Sequence, residues 1–221
     1  MTAVFVTSSG TGIGKTFVTL KLIEELRAAG RRVQALKPIA SGFDAASPDG
    51  SDSALLLRGQ GLAVTPANLD LVSPWRFAAP LSPDMAAARE RRSIPFDALV
   101  AHCRAASESD GMTLLEGVGG VMVPLDARHT VLDWIAALGA PALLVVGSYL
   151  GTLSHSLTAA AALQQRGVRL LGVVVNESAE QPAPAEETAA TLARFVAPAP
   201  VRVLLRGSAA PLLPLLEPYS K

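Results

Sequence analysis

The sequence has a single cysteine, Cys103, in 221 residues. One thiol can form neither an internal disulfide nor a thiolate-ligated metal cluster. Aromatic residues make up only 5%, too few for the stacking platforms of single-strand nucleic-acid binders. Charge is sparse as well: 17% of residues are charged, and 19 Lys and Arg balance 19 Asp and Glu to a formal net charge of zero. That balance leaves no electrostatic footprint for DNA, RNA or an anionic membrane surface. The start, MTAVFVTSSG, lacks the basic segment and long apolar run of a secretory signal. With the lone thiol, this implies a reducing, cytoplasmic compartment. The stretch between Trp134 and Gln165 carries no Asp, Glu, Lys or Arg, but Gly139, Pro141, Gly147 and Gly151 divide it into pieces too short to span a bilayer.

Apolar residues are plentiful at 50%, which excludes whole-chain disorder and suits one α/β domain over residues 1–221. Apolar runs alternate with helical periodicity, the pattern of a mainly parallel sheet flanked by helices. Strands are expected at Ala3–Thr7, Arg32–Leu36, Met112–Glu116, Ala142–Gly147 and Leu170–Asn176. Helices are expected at Thr16–Ala29, Pro83–Arg91, Pro95–Ser107, Thr152–Arg166 and Ala185–Val196, with another opening at the box Thr130 and Asp133. Between Ala40 and Pro83 many Gly and Pro residues predict loop around one short helix near Asp52–Gly59, and a long excursion of this kind is more often functional than decorative. The tail after Pro198, rich in Pro and Leu, has no assignable element.

The most specific local pattern is Ser9-Gly10-Thr11-Gly12-Ile13-Gly14-Lys15-Thr16. It matches the phosphate-loop pattern G-x-x-x-x-G-K-[ST], with Ser9 in place of the first glycine. Such a loop turns successive backbone N–H groups toward phosphate oxygens, extends a lysine to the terminal phosphates and offers a hydroxyl to Mg²⁺. Gly10, Gly12, Gly14, Lys15 and Thr16 supply these features at a helix N-terminus, itself favourable for anions. A P-loop NTPase-like fold that binds ATP follows. Glu116, ending an apolar strand, and Asp52, starting a helix, complete a metal site with Thr16; Asp52 reads equally well as a helix cap.

Taken together, several motifs resemble the dethiobiotin synthetase family of the biotin pathway. They are the phosphate loop, Lys37-Pro38-Ile39-Ala40-Ser41-Gly42, Ser51-Asp52-Ser53-Ala54, Phe77 with Pro80 and Ser82-Pro83, Glu116-Gly117-Val118-Gly119-Gly120, Asp133-Trp134, Leu150-Gly151-Thr152-Leu153 with His155, and Asn176. They occur in family order up to about residue 176. The resemblance implies an ATP-dependent cyclo-ligase in which 7,8-diaminopelargonate captures CO₂ as a carbamate, the carbamate takes the γ-phosphoryl group, and the second amine closes a ureido ring. It implies catalytic roles for Lys15 and Lys37, and Mg²⁺ on Thr16, Asp52 and Glu116. Nucleotide contacts would come from Gly10 through Thr16, including Thr11 and Ile13, with Asn176 reading the adenine edge. The diamine would meet Thr11, Lys37, Ser41, Gly117 and Val118. Leu150, Gly151 and Ser154 would hold its distant carboxylate from the partner subunit of a homodimer. Lys37 also reads as a strand-end lysine, and Thr11, Ser41 and Asn176 as turn residues.

Three positions depart from the family pattern: Ser154 for Asn, Asp84 for His, and Tyr149 for Lys or Asp. Two other classes compete with the enzyme. Partition-type ATP switches carry an additional lysine where this chain has Gly10, and commonly need a basic patch or an amphipathic tail. Cobyrinate-type amidoligases are also ATP-dependent but use a different acceptor, and the diamine motif around Lys37 and Ser41, joined to Asp52, favours the synthetase. Outside these motifs Cys103 reads as a small core residue, His102 as a surface residue of its helix, and Trp75 and Trp134 as packing.

Overall fold

The structure, a computed structural model, describes residues 3–179 and 183–217; the ends of the expected 1–221 domain and residues 180–182 lie outside them. Strand β1 (Ala3–Ser8) runs through the phosphate loop into α1 (Lys15–Ala28), followed by β2 (Val33–Leu36), β3 (Ile39–Ser41), α2 (Asp52–Gly59), α3 (Pro66–Val72), β4 (Trp75–Phe77), α4 (Pro83–Arg89) and α5 (Phe96–Ala106). Then come β5 (Met112–Glu116), α6 (Val131–Leu138), β6 (Ala142–Val146), α7 (Thr152–Gln165), β7 (Leu170–Asn176), α8 (Ala185–Val196) and β8 (Val201–Leu204).

Six strands form one sheet in the order β2-β5-β1-β6-β7-β8, and every strand pair in it is parallel. Parallel strands need crossovers, and here helices supply them and cover both faces. The period of two sorts the side chains. Val4, Val6, Leu114, Leu143 and Val145 face α1 and α2, whereas Phe5, Leu115, Leu144 and Val146 join the core under α5 to α8. In open α/β sheets ligands bind beyond the carboxyl ends of the strands where the strand order reverses. Here β1 is that point, flanked by β5 and β6, and the phosphate loop leaves its end.

Two regions differ from the sequence expectation. Residues 40–83 hold a second helix, α3, and the short parallel pair β3-β4, with Ile39, Ala40 and Ser41 opposite Trp75, Arg76 and Phe77. Three-residue strands carry too little alternation to register as a pattern, and the prolines around them mask the rest. The tail contains the edge strand β8 and a short 3-10 turn at Leu213–Leu215. Leu212, Leu215 and Leu216 pack into the α1 face, and Glu25 accepts the Leu212 and Leu213 N–H groups. The expected capping box of α6 is present in both directions, between Thr130 and Asp133.

Candidate active site

The period-two alternation that builds the core also places the charges. Glu116 shares the parity of Met112 and Leu114, so it faces α1 at the carboxyl end of β5. Leu36, the last residue of β2, pairs with Leu115, so Lys37, which follows it, comes level with Glu116. The result is a buried ion pair, with Lys37 Nζ 2.6 Å from Glu116 Oε1 and 3.1 Å from Asp52 Oδ2. Thr16, in the first turn of α1, donates its hydroxyl to the same Glu116 oxygen at 2.7 Å. Asp52 is therefore more than a helix starter. Ser51 is the residue that caps α2, accepting the Ala54 N–H, and this leaves the Asp52 carboxylate free to face Lys37.

The electrostatics follow from burial and neighbours. Burial alone would lower the Lys37 pKa, but Glu116 and Asp52 outweigh it through charge and hydrogen bonding and hold the ammonium above its ordinary value. Burial likewise opposes ionisation of Asp52, yet the Lys37 charge, hydrogen bonds from Lys37 and Thr16 and the Lys15 charge keep its carboxyl below the usual range. Lys15 behaves differently. Burial, and after it the Lys37 charge, pull its pKa from 10.5 down to about 8 against the opposing pull of Glu116 and Asp52. Its Nζ donates to the Gly119 carbonyl at 2.8 Å and the Ser8 hydroxyl at 3.1 Å. The Gly119 partner was not identifiable from the sequence, because it depends on how the glycine run after β5 folds back over the phosphate loop.

The loop itself is held from the side by Asn176, whose Nδ2 donates to the Ile13 carbonyl at 2.9 Å. Gly14 caps α1 with φ 96°, and a Cβ there would collide with the Asn176 amide. Only glycine meets both conditions.

A cavity of about 630 Å³ gathers Thr11, Lys15, Thr16, Lys37, Ser41 and Asp52 along one side. Gly12, Gly14, Val118 and Gly119 also border it, and Pro80, Leu81 and Ser82 form a wall that sequence reasoning gave no role. The available signals for that wall were the length of the 40–83 excursion and the motif that contains Pro80 and Ser82-Pro83. A second cavity, about 850 Å³, lies across the phosphate loop and takes in Gly10, Ile13, Tyr149 and His155. There the Tyr149 hydroxyl lies 2.9 Å from His155 Nδ1. Gly117 borders neither cavity; its N–H is spent on the Val6 carbonyl at 3.0 Å. Leu150, Gly151 and Ser154 also border neither, and Leu150 is 85% exposed at the start of α7. His102, expected at the surface, is partly buried with its ring edge-on to Trp75.

Two observations test whether these residues suit a metal. Glu116 Oε2 is buried without a hydrogen-bond partner, which leaves a carboxylate oxygen at the centre of the cluster for a ligand. The donors, two carboxylates and a hydroxyl, are the hard oxygens that suit Mg²⁺, an ion that binds through one or two carboxylates and keeps several waters. Chemically, the cavity can neutralise anionic oxygens with two ammonium groups and, where a metal ion is held, a cation.

Known proteins resemble this chain in sequence and in fold. A family model described as an AAA domain matches residues 2–216. The chain is 52% identical over 210 residues to the ATP-dependent dethiobiotin synthetase BioD of Methylobacterium nodulans, covering 92% of each chain. It is 48% identical over 207 residues to the protein of the same description from Acidiphilium cryptum, covering 93% of each. Among solved structures, the hydrogenase maturation factor HypB of Archaeoglobus fulgidus superposes with a TM-score of 0.59 at 14% identity, covering 98% of this chain and 87% of that one. At that identity the likeness concerns the P-loop NTPase fold alone.

Proposed function

The chain belongs to the ATP-dependent dethiobiotin synthetase family, and from that premise we propose that it forms dethiobiotin from 7,8-diaminopelargonate, CO₂ and ATP. The observation that carries the reading to particular residues is Lys37, set between Asp52 and Glu116 and sharing a cavity with the phosphate-loop lysine. Every stage of this reaction creates or moves negative oxygen, and cations already fixed in place stabilise such charge better than water does.

One amine adds to CO₂ and becomes a carbamate, drawn toward Lys37. Lys15 leaves its loop partners and meets the terminal phosphates of ATP, whose other oxygens lie on the N–H groups of Gly10 through Thr16. The carbamate oxygen takes the γ-phosphoryl group to give a mixed anhydride and ADP, and the second amine attacks its carbonyl carbon and expels phosphate. Mg²⁺ held by Thr16, Asp52 and Glu116 supplies neutralising charge at the nucleotide phosphates when bound. Thr11, Ser41 and Val118 line the diamine's path, and Asn176, at the end of β7 beside the phosphate loop, reads the nucleotide base. Gly117 acts from below by holding the turn that carries Val118. No nucleophilic side chain is required, because phosphoryl transfer asks for positioning and charge stabilisation.

The diamine ends in a carboxylate, and the exposed start of α7, with Leu150, Gly151 and Ser154, is a helix N-terminus suited to it. We place this segment against the cavity of a second copy, so that a homodimer completes each site and residues 1–221 act as one domain. No helix among the described residues is long and apolar enough to cross a membrane, and we assign the enzyme to the cytoplasm. The test is incubation with 7,8-diaminopelargonate, bicarbonate and Mg-ATP followed by mass analysis of the product. Dethiobiotin is the expected mass. ATP turnover triggered only by a different acceptor, with no cyclic urea formed, would overturn the reading.

A further inference from the structure

Ser82 stands at the N-cap of α4, where a serine hydroxyl ordinarily accepts an N–H from the first helical turn. Here it makes no such bond. Its Oγ is nonetheless buried and has no hydrogen-bond partner. A hydroxyl that forgoes both its cap and water is unfavourable in the empty protein unless a ligand uses it. Ser82 borders the cavity that holds Lys37, and so does Ser41, whose Oγ is also buried and unpartnered. The backbone fixes the two segments against each other. The Gly42 N–H donates to the Ala79 carbonyl at 3.1 Å, and at Gly42, with φ 73°, a Cβ would stand 3.2 Å from Pro80 Cβ.

Resting on the function proposed above, we infer that Ser82 orients the substrate amine that remains uncarboxylated, accepting one of its N–H groups beside Ser41. The chemistry of the cavity separates the two ends of the reacting pair. Lys15 and Lys37 attract the carbamate, while Asp52 and Glu116 are engaged with Lys37. A free amine needs its lone pair aimed at carbon, so it must remain neutral. A carboxylate beside it would favour the ammonium, whereas a hydroxyl accepts an N–H and leaves the lone pair available. Ring closure then forms the N–C bond as the C–O bond to phosphate breaks. The electron pair leaves on phosphate, which also takes the surplus proton.

The experiment compares wild type, Ser82→Ala and Ser82→Thr. Loss of the hydroxyl is expected to lower kcat/KM for the diamine by about tenfold while the ATP KM stays unchanged and Tm does not fall, since the hydroxyl bonds nothing in the empty protein. Because the misoriented amine closes the ring more slowly than water attacks the anhydride, ADP released per dethiobiotin should rise in Ser82→Ala. Ser82→Thr, which keeps the hydroxyl, should restore coupling. A diamine kcat/KM within about twofold of wild type and an unchanged ADP-to-product ratio would overturn the inference. Failure of the wild type itself to convert the diamine would instead overturn the proposed function. Should Ser82→Ala fold poorly, diamine calorimetry on Ser82→Cys with a non-hydrolysable ATP analogue makes the same comparison, and unchanged affinity overturns the role.

Discussion

Replacing Lys37 by methionine should destabilise the empty protein and make its stability respond to Mg²⁺ more strongly than the wild type's does. Lys37 and Glu116 have side chains 7% and 0% exposed and are 2.6 Å apart, whereas Asp52 is 49% exposed and its attraction to Lys37 is partly screened by solvent. Removing one partner of a buried pair leaves an uncompensated charge and costs about 3–5 kcal/mol. The Thr16 hydroxyl still donates to Glu116 at 2.7 Å, which places the cost near the lower end, about 3 kcal/mol. For a chain of this length that corresponds to a Tm lower by about 6–12 °C. Mg²⁺ added to Lys37→Met takes up the abandoned charge and should recover about 2.7 kcal/mol at a hundredfold excess over its Kd. Differential scanning calorimetry with and without Mg²⁺ reads both effects, and the double variant Lys37→Met/Glu116→Gln should melt above Lys37→Met. A Tm within about 2 °C of wild type for Lys37→Met, with no response to Mg²⁺, would refute the reasoning.

Other consequences are as direct. Burial pushes the Cys103 thiol up to about 12, so it should ignore a disulfide reagent at pH 8 in the native protein and react fully in denaturant; rapid native labelling would contradict this. Asn176→Ala removes the Ile13 bond and should weaken ADP binding by about five- to tenfold, with faster hydrogen exchange in the loop; unchanged affinity would remove Asn176 from the nucleotide site. Lys15, with a pKa of about 8 in the empty protein against 10.5 unperturbed, should take up a proton when phosphate arrives, so ADP binding near pH 8.5 should show heats that depend on buffer ionisation, and identical heats would refute it. The sign for folding is opposite: with its native pKa lowered, Lys15 costs stability below about pH 8, and the cost fades as pH rises toward 10.5.

Much of this was legible because it was written locally. The bounds of β7 and α8 match the sequence expectation residue for residue, since an apolar run and an amphipathic repeat are each bracketed by turn residues. The phosphate loop was readable for the same reason: its chemistry lies in consecutive residues. What escaped depends on distant partners. Strand β8 alternates Val201, Arg202 and Val203 over too few residues to stand out and is recognisable only by pairing with β7. Asp52 was balanced between helix cap and ligand; the cap of α2 is Ser51, and Asp52 faces Lys37, a contact 15 residues away in sequence that no local pattern shows. Ser82 was visible as part of a motif, but its unpartnered state is a property of the folded neighbourhood.

The bond from Thr16 to Glu116 joins residues 100 positions apart, and that from Lys37 to Glu116 joins residues 79 apart. No contiguous fragment that omits β5 can assemble the charged cluster, and a cut in the 40–83 excursion leaves function only while the two pieces stay docked. Enzymatic activity is thus a reporter of whole-sheet integrity. A protease nick that spares catalysis identifies a surface loop, and one that abolishes it marks the point at which the sheet has come apart.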